Sequence, residues 1–97
     1  MLNSRQRAQL RGLANHLNAT FQIGKSGIGE NMVAQINDAL EMHELVKIHV
    51  LENSPLEVRE ACGQMAELTG ADPVQVIGRK FIIYKKSEEN PQIVLVK

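Results

Sequence analysis

An α/β fold with a mixed four-stranded sheet is what this 97-residue chain predicts, and three observations lead there. Apolar residues recur at helical spacing in three separate stretches. Short alternating or two-sided apolar runs stand between and after them, giving the order α-β-α-β-α-β-β. The last two runs are joined by Gly78-Arg79-Lys80, a hairpin signal with a basic tip. Helical crossovers between the first three strands imply parallel pairings, and the closing hairpin is antiparallel, so the sheet is mixed.

Each element has its own signal. Ser4 or Asn3 can cap a first helix running to about Leu17, with Leu10, Leu13, Ala14 and Leu17 in one apolar stripe. Arg7 and Arg11, four apart, share another face of it. Thr20 to Ile23 forms a short strand. A second helix spans roughly Glu30 to Met42, with Gly29 as its N-cap and Ile36, Ala39 and Leu40 facing inward beside Met32 or Val33. Leu45 to Leu51 is the clearest strand. Val46, Ile48 and Val50 point to one face, buried under helices, and Lys47 and His49 make the other partly polar at its centre.

Ser54-Pro55-Leu56-Glu57 reads as a capping box with proline at the first helical position. It should open a third helix reaching Leu68, with Leu56, Ala61, Cys62, Met65 and Leu68 inward. Gly70 then caps the helix and Pro73 stops it from resuming. Val74 to Ile77 and Phe81 to Tyr84 are the last strands, the second apolar on both faces and so central. Residues 87–92 read as a loose loop, and Ile93 to Val96 either add an edge strand or pack across the domain. The whole chain forms a single domain, with a core over 2–86 and a C-terminal extension over 87–97.

The stretch most suggestive of chemistry is Ile23-Gly24-Lys25-Ser26-Gly27-Ile28-Gly29, between the first strand and the second helix. Glycines permit φ > 0 and close approach of a ligand to the main chain. The unpaired N–H groups of the next helix and its dipole favour an anion there, and Lys25 adds a full charge. Three readings compete. A nucleotide phosphate loop, Ala19-x4-Gly24-Lys25-Ser26, has alanine where the Walker form has glycine, and its loop residues are already committed to strand. A clamp on a nucleic-acid backbone, as in KH domains, uses Gly-x-x-Gly. A tight turn that simply needs glycine is the plain alternative.

Composition narrows the function classes. The chain is 43% apolar with no Trp and only three aromatic residues, enough for an aliphatic core but poor in base-stacking surface. One cysteine, Cys62, excludes an internal disulfide framework and fits a reducing compartment. No stretch approaches the roughly 20 apolar residues of a membrane span. A soluble, cytoplasmic protein is expected, with no membrane partner. The formal net charge of zero hides a segregation: residues 1–29 carry +4, residues 30–72 carry −7 and residues 73–97 carry +3. If the terminal segments meet in space, a basic face opposes an acidic one, and such a patch attracts polyanions. His16, His43 and His49 have no metal-ligand spacing, Cys62 falls on an apolar stripe, and Ser26 has no evident base partner. Carboxylates over residues 30–67 look like exposed helix faces, with nothing to gather two of them. No catalytic constellation, metal site or cofactor site emerges.

Leu10-Arg11-Gly12-Leu13-Ala14-Asn15-His16-Leu17, Ile23 to Ile28, Ala39 to Lys47 and Val76-Ile77-Gly78-Arg79-Lys80 to Tyr84-Lys85 occur in an order that resembles the CRM domain. This is the chloroplast RNA splicing and ribosome maturation module, here in its stand-alone bacterial YhbY-type form. The resemblance runs from Leu2 to Lys86. It departs at Gly29, where the family often has Thr or Ser. It implies a fold similar to the C-terminal domain of translation initiation factor 3, RNA binding through the glycine loop, and association with precursors of the large ribosomal subunit. On that basis the expected RNA-binding residues are Gly24, Lys25, Ser26 and Gly27. Arg7, Arg11, Arg79, Lys80, Lys85 and Lys86 would supply a surrounding field. The expected protein is a monomeric, non-enzymatic RNA binder that reads shape and backbone over sequence. The alternative is a protein-interaction adaptor that uses the acidic second and third helices.

Overall fold

Asn3, not Ser4, starts the first helix in the computed structural model, which describes residues 1–97. The Asn3 side chain accepts from the Gln6 N–H at 2.8 Å, and the Gln6 side chain accepts from the Asn3 N–H at 3.1 Å. This reciprocal cap opens α1 (Ser4–Ala14). The helix ends before the expected Leu17 because the chain tightens: His16 N–H bonds to Leu13 O and Leu17 N–H to Ala14 O, the shorter i→i−3 pattern. Leu10 and Ala14 are buried while Leu13 stays 43% exposed.

The remaining elements are β1 (Phe21–Ile23), α2 (Glu30–His43), β2 (Leu45–Val50), α3 (Val58–Thr69), β3 (Asp72–Ile77) and β4 (Lys80–Tyr84). The sheet order is β1-β2-β4-β3, with β1 and β2 parallel and β4 antiparallel to both neighbours. The sheet is mixed as expected, and β4 is central as its two-sided apolar pattern implies; β2 and β3 do not form the expected parallel pair, because β4 lies between them. Phe81 and Ile83 are buried in one core and Ile82 and Tyr84 in the other. At the opposite edge β3 accommodates Pro73 with a register shift between Pro73 and Gln75, since an edge strand can spare an N–H.

Two expectations fail at α3. Ser54 to Glu57 is not the first helical turn, because the Ser54 hydroxyl accepts from Leu56 N–H at 3.0 Å and donates to Leu56 O at 3.1 Å. That local turn spends the hydroxyl two residues on, leaving Glu57 as an N-cap without a side-chain cap bond. The buried face then falls on Ala61, Cys62, Met65, Ala66 and Thr69, and Leu68 sits on the helix shoulder, 56% exposed. Gly70 ends the helix as expected, at φ 73.

Helices cover both faces of the sheet, not one. α2 and α3 bury Ile23, Val46, Ile48, Val50, Phe81 and Ile83. On the other face α1 packs Leu10 and Ala14 with Leu45, Val74, Ile82 and Tyr84, and Leu2, Ile93 and Leu95 complete that smaller core. Lys47 lies on this second face, half-buried, and donates to Leu17 O at 2.9 Å.

The segment after β4 is neither a loose loop nor a strand. Glu41 accepts from the Ser87 hydroxyl and from the N–H groups of Glu88 at 2.9 Å and Glu89 at 3.2 Å. Glu44, fully buried at the left-handed C-cap of α2, accepts from the N–H groups of Ser87, Gln92 and Ile93 at 2.9, 2.6 and 2.7 Å. Gln6 then donates to Val96 O at 2.9 Å, while Gln9 donates to Val94 O at 2.8 Å and accepts from Val96 N–H at 2.9 Å. Two carboxylates thus converge after all, as structural acceptors that hold residues 87–93, while Gln6 and Gln9 hold Val94 and Val96 along α1.

Candidate nucleic-acid interface

Because β1 and β2 are parallel, the loops that leave them emerge at the same end of the sheet. Leu51 N–H bonds to Ile23 O at 2.8 Å, which holds the two exits side by side. Gly27 N–H bonds to Gly24 O at 3.0 Å, closing a tight turn with Lys25 and Ser26 exposed at its tip. Of the three loop glycines only Gly27 uses a left-handed conformation, at φ 68. A Cβ at Gly24 would rest in ordinary contact, 3.5 Å from Asn53 Oδ1 and Leu51 Cδ1.

Gly29, the N-cap of α2, contributes no side-chain bond, and a Cβ there would meet nothing within 4 Å. The first N–H groups of a 14-residue helix therefore stand open beside the turn. Glu30, exposed in the first turn, is the one nearby opposing charge on that helix end.

Arg79 and Lys80 join the turn at this end of the sheet. Arg79 Nε donates to Val50 O at 3.1 Å and Val50 N–H returns to Arg79 O at 2.7 Å, pinning the hairpin tip to the end of β2. Gly78 supplies φ 59 at the first central position of the two-residue turn, as a II′ hairpin uses. Lys80 pairs with His49.

The other expected residues lie elsewhere. Lys85 and Lys86 follow the far end of β4, roughly 15 Å from Lys80 by strand rise. Lys85 Nζ donates to Thr69 O at 2.9 Å and so caps α3. Arg7 Nε reaches Pro73 O at 3.4 Å, and Arg11 lies one turn further along α1. The terminal segments do meet: residues 93–96 run along α1 on one face of the sheet, while the acidic α2 and α3 cover the other. Sequence reasoning named the turn but missed its neighbours Asn53 and Pro55, and Arg59 beyond them. The parallel directions of β1 and β2 were the available signal for them.

Cys62 is buried, and burial pushes its thiol pKa up, which suits packing. No three His, Cys, Asp or Glu side chains gather where they could hold a metal ion. His16 and His43 border one cavity of about 520 Å³ between the ends of α1 and α2. No helix is long and apolar enough to cross a membrane.

The family model for the CRS1 / YhbY (CRM) domain matches residues 2–85. The chain is 40% identical over 95 residues to the Bacillus subtilis protein named "Probable RNA-binding protein YqeI", covering 98% of this chain and 99% of that one. It is 35% identical over 88 residues to a Haemophilus influenzae protein named "RNA-binding protein", covering 91% and 89%. The solution structure of a candidate RNA-binding protein from Staphylococcus aureus matches it with a TM-score of 0.82 at 46% identity, over 99% of this chain and 100% of that one. In fold and in sequence along nearly its whole length, the chain belongs to the CRS1/YhbY (CRM) domain family.

Proposed function

We propose that this chain is an RNA-binding protein that associates with precursor RNA of the large ribosomal subunit and assists its assembly. It acts as a cytoplasmic monomer, without catalysis or a cofactor. The observation that supports this best is the exposed Gly24–Gly27 turn beside an uncapped helix N-terminus, in a chain whose relatives are named for RNA binding. The RNA backbone lies against the turn and Lys25 pairs with a phosphate. Arg79 and Lys80 extend the contact along the same end of the sheet. Arg7, Arg11, Lys85 and Lys86 act at longer range through their field. The adaptor reading is weakened because Glu41 and Glu44, two of the carboxylates it would use, are engaged with residues 87–93.

Two measurements test the proposal. Crosslinking to ribosomal particles followed by sequencing should place the RNA sites on large-subunit precursors. Sites spread evenly over other RNAs would remove the assembly role and leave the binding. For three to five phosphate contacts, log K should fall with log salt at a slope of roughly −2 to −3.5. A slope near zero, with only proteins recovered, favours the adaptor.

A further inference from the structure

Beside the glycine turn lies a cleft that shares Arg79 with the backbone contact and is otherwise not used by it. The connection after β2, the first turn of α3 and the tip of the β3–β4 hairpin border an open depression of about 470 Å³. Glu52, Glu57, Arg59 and Arg79 stand on its walls, with Ser54 and Pro55 between them. Pro55 is common to both features, since its Cγ lies 3.5 Å from the position a Cβ on Gly27 would take. A strand leaving the turn over Pro55 would enter the cleft. Ser54 has spent its hydroxyl on Leu56. Arg79 donates its Nε–H to Val50 O, which fixes its stem and leaves the terminal amino groups of the fork for a ligand.

The mixture of charges decides what fits. Two carboxylates oppose a phosphate as much as two guanidinium groups attract one, so this is a poor continuation of the backbone site. A carboxylate only accepts hydrogen bonds and a guanidinium only donates them. The matching ligand presents adjacent donors on one edge and adjacent acceptors on another. Among the four RNA bases only guanine does so: N1–H and N2–H₂ stand side by side, and O6 and N7 form the acceptor pair that arginine grips with both arms. Adenine and uracil interleave donor and acceptor, and cytosine sets one amino donor beside its N3 and O2 acceptors, so none of the three offers a carboxylate two adjacent donor groups.

We propose that the cleft binds one unpaired guanine of the RNA. A carboxylate of Glu52 or Glu57 accepts from N1–H and N2–H₂, a guanidinium of Arg59 or Arg79 donates to O6 and N7, and the base lies against Pro55. This rests on the RNA-binding reading above and adds base recognition to a site otherwise expected to read shape.

The test uses the full chain and labelled eight-nucleotide uridine tracts carrying guanosine, inosine, adenosine or no purine at one central position, followed by fluorescence anisotropy. Guanosine should bind about tenfold tighter than adenosine or plain uridine. Inosine, which lacks the N2 amino group, should lose much of that gain. The double variant Glu52→Gln/Glu57→Gln, checked by melting temperature, should bind plain uridine more tightly, having lost two like charges. Its guanosine preference should fall below about twofold. Carboxylates that act only as repulsive charge would raise all four affinities together and keep the preference, which overturns the proposal. Equal affinity for all four probes, with Lys25→Ala still weakening each, removes guanine recognition and leaves backbone binding intact. No binding to any probe overturns both.

Discussion

Glu44 holds a glutamate backbone at φ 66, where a residue with a Cβ costs roughly 1–2 kcal/mol. Its carboxylate accepts three main-chain N–H bonds while fully buried, and charge-assisted bonds contribute about 1.5–3 kcal/mol each, so the bonds outweigh the strain. Glu44→Gln turns one acceptor oxygen into a donor facing an N–H and should cost about 1–3 kcal/mol in denaturant unfolding. Glu44→Gly relieves the strain but loses all three bonds, and should be less stable than Glu44→Gln. Equal stability of Glu44→Gly and the parent would show that the strap contributes little. At the glycine turn, Lys25→Ala should lower RNA affinity more than Lys97→Ala at unchanged melting temperature, because it removes the same charge from the tip of the site. Gly27→Asp should be worse still, combining a strained φ with a charge that repels phosphate. Equal losses from the two lysine changes would mean that only the diffuse field matters.

The elements show where sequence was legible. Helix and strand order, the central place of β4, Gly29 as the α2 cap and Gly70 as the α3 stop follow from local patterns, and the structure has them all. The Gly24–Gly27 turn was legible for the same reason, its glycines and lysine being adjacent in the chain. What escaped depends on residues far apart. Glu41 and Glu44 meet partners 43–49 positions away, and no periodicity records such a bond. The start of α3 was misjudged because the Ser54 hydroxyl can serve a turn or a helix, and only the packed structure selects between them. The α2 N-terminus yields a prediction of its own. Gly29→Ser fits an extended φ of −112 in open space, supplies the missing cap and removes glycine's freedom in the unfolded chain. A gain of about 0.5–1 kcal/mol, or roughly 2–8 °C in melting temperature, is expected. A lower melting temperature would show that those N–H groups are already served.

At the scale of the whole molecule, one sheet separates two cores, and the smaller is completed by residues after β4. Acid should therefore dismantle the protein from that side. The bond from the Ser87 hydroxyl, then those from Glu88 and Glu89, hold the Glu41 pKa below its ordinary value. Burial alone would raise that of Glu44, but the N–H groups of Ser87, Ile93 and Gln92, with Lys86 nearby, outweigh it and the pKa is lowered. A carboxylate with a depressed folded pKa contributes stability that is fully present above its unfolded value of about 4.3 and is lost as pH falls through the folded value. Stability measured from pH 7 downward should stay flat to about pH 5 and then decline. Glu44→Gln should flatten that decline, whereas an unchanged profile would assign the acid sensitivity to other groups.

The strap also separates amide protection from secondary structure. Ser87, Glu88, Glu89, Gln92 and Ile93 belong to no helix or strand, yet each main-chain N–H ends on a glutamate oxygen of α2 or of its C-cap. Solvent hydrogen can reach Ser87, Gln92 and Ile93 only when the buried Glu44 lets go. In a deuterium-exchange map these three amides would slow together, as one cooperative unit, inside a stretch that a ribbon drawing shows as coil.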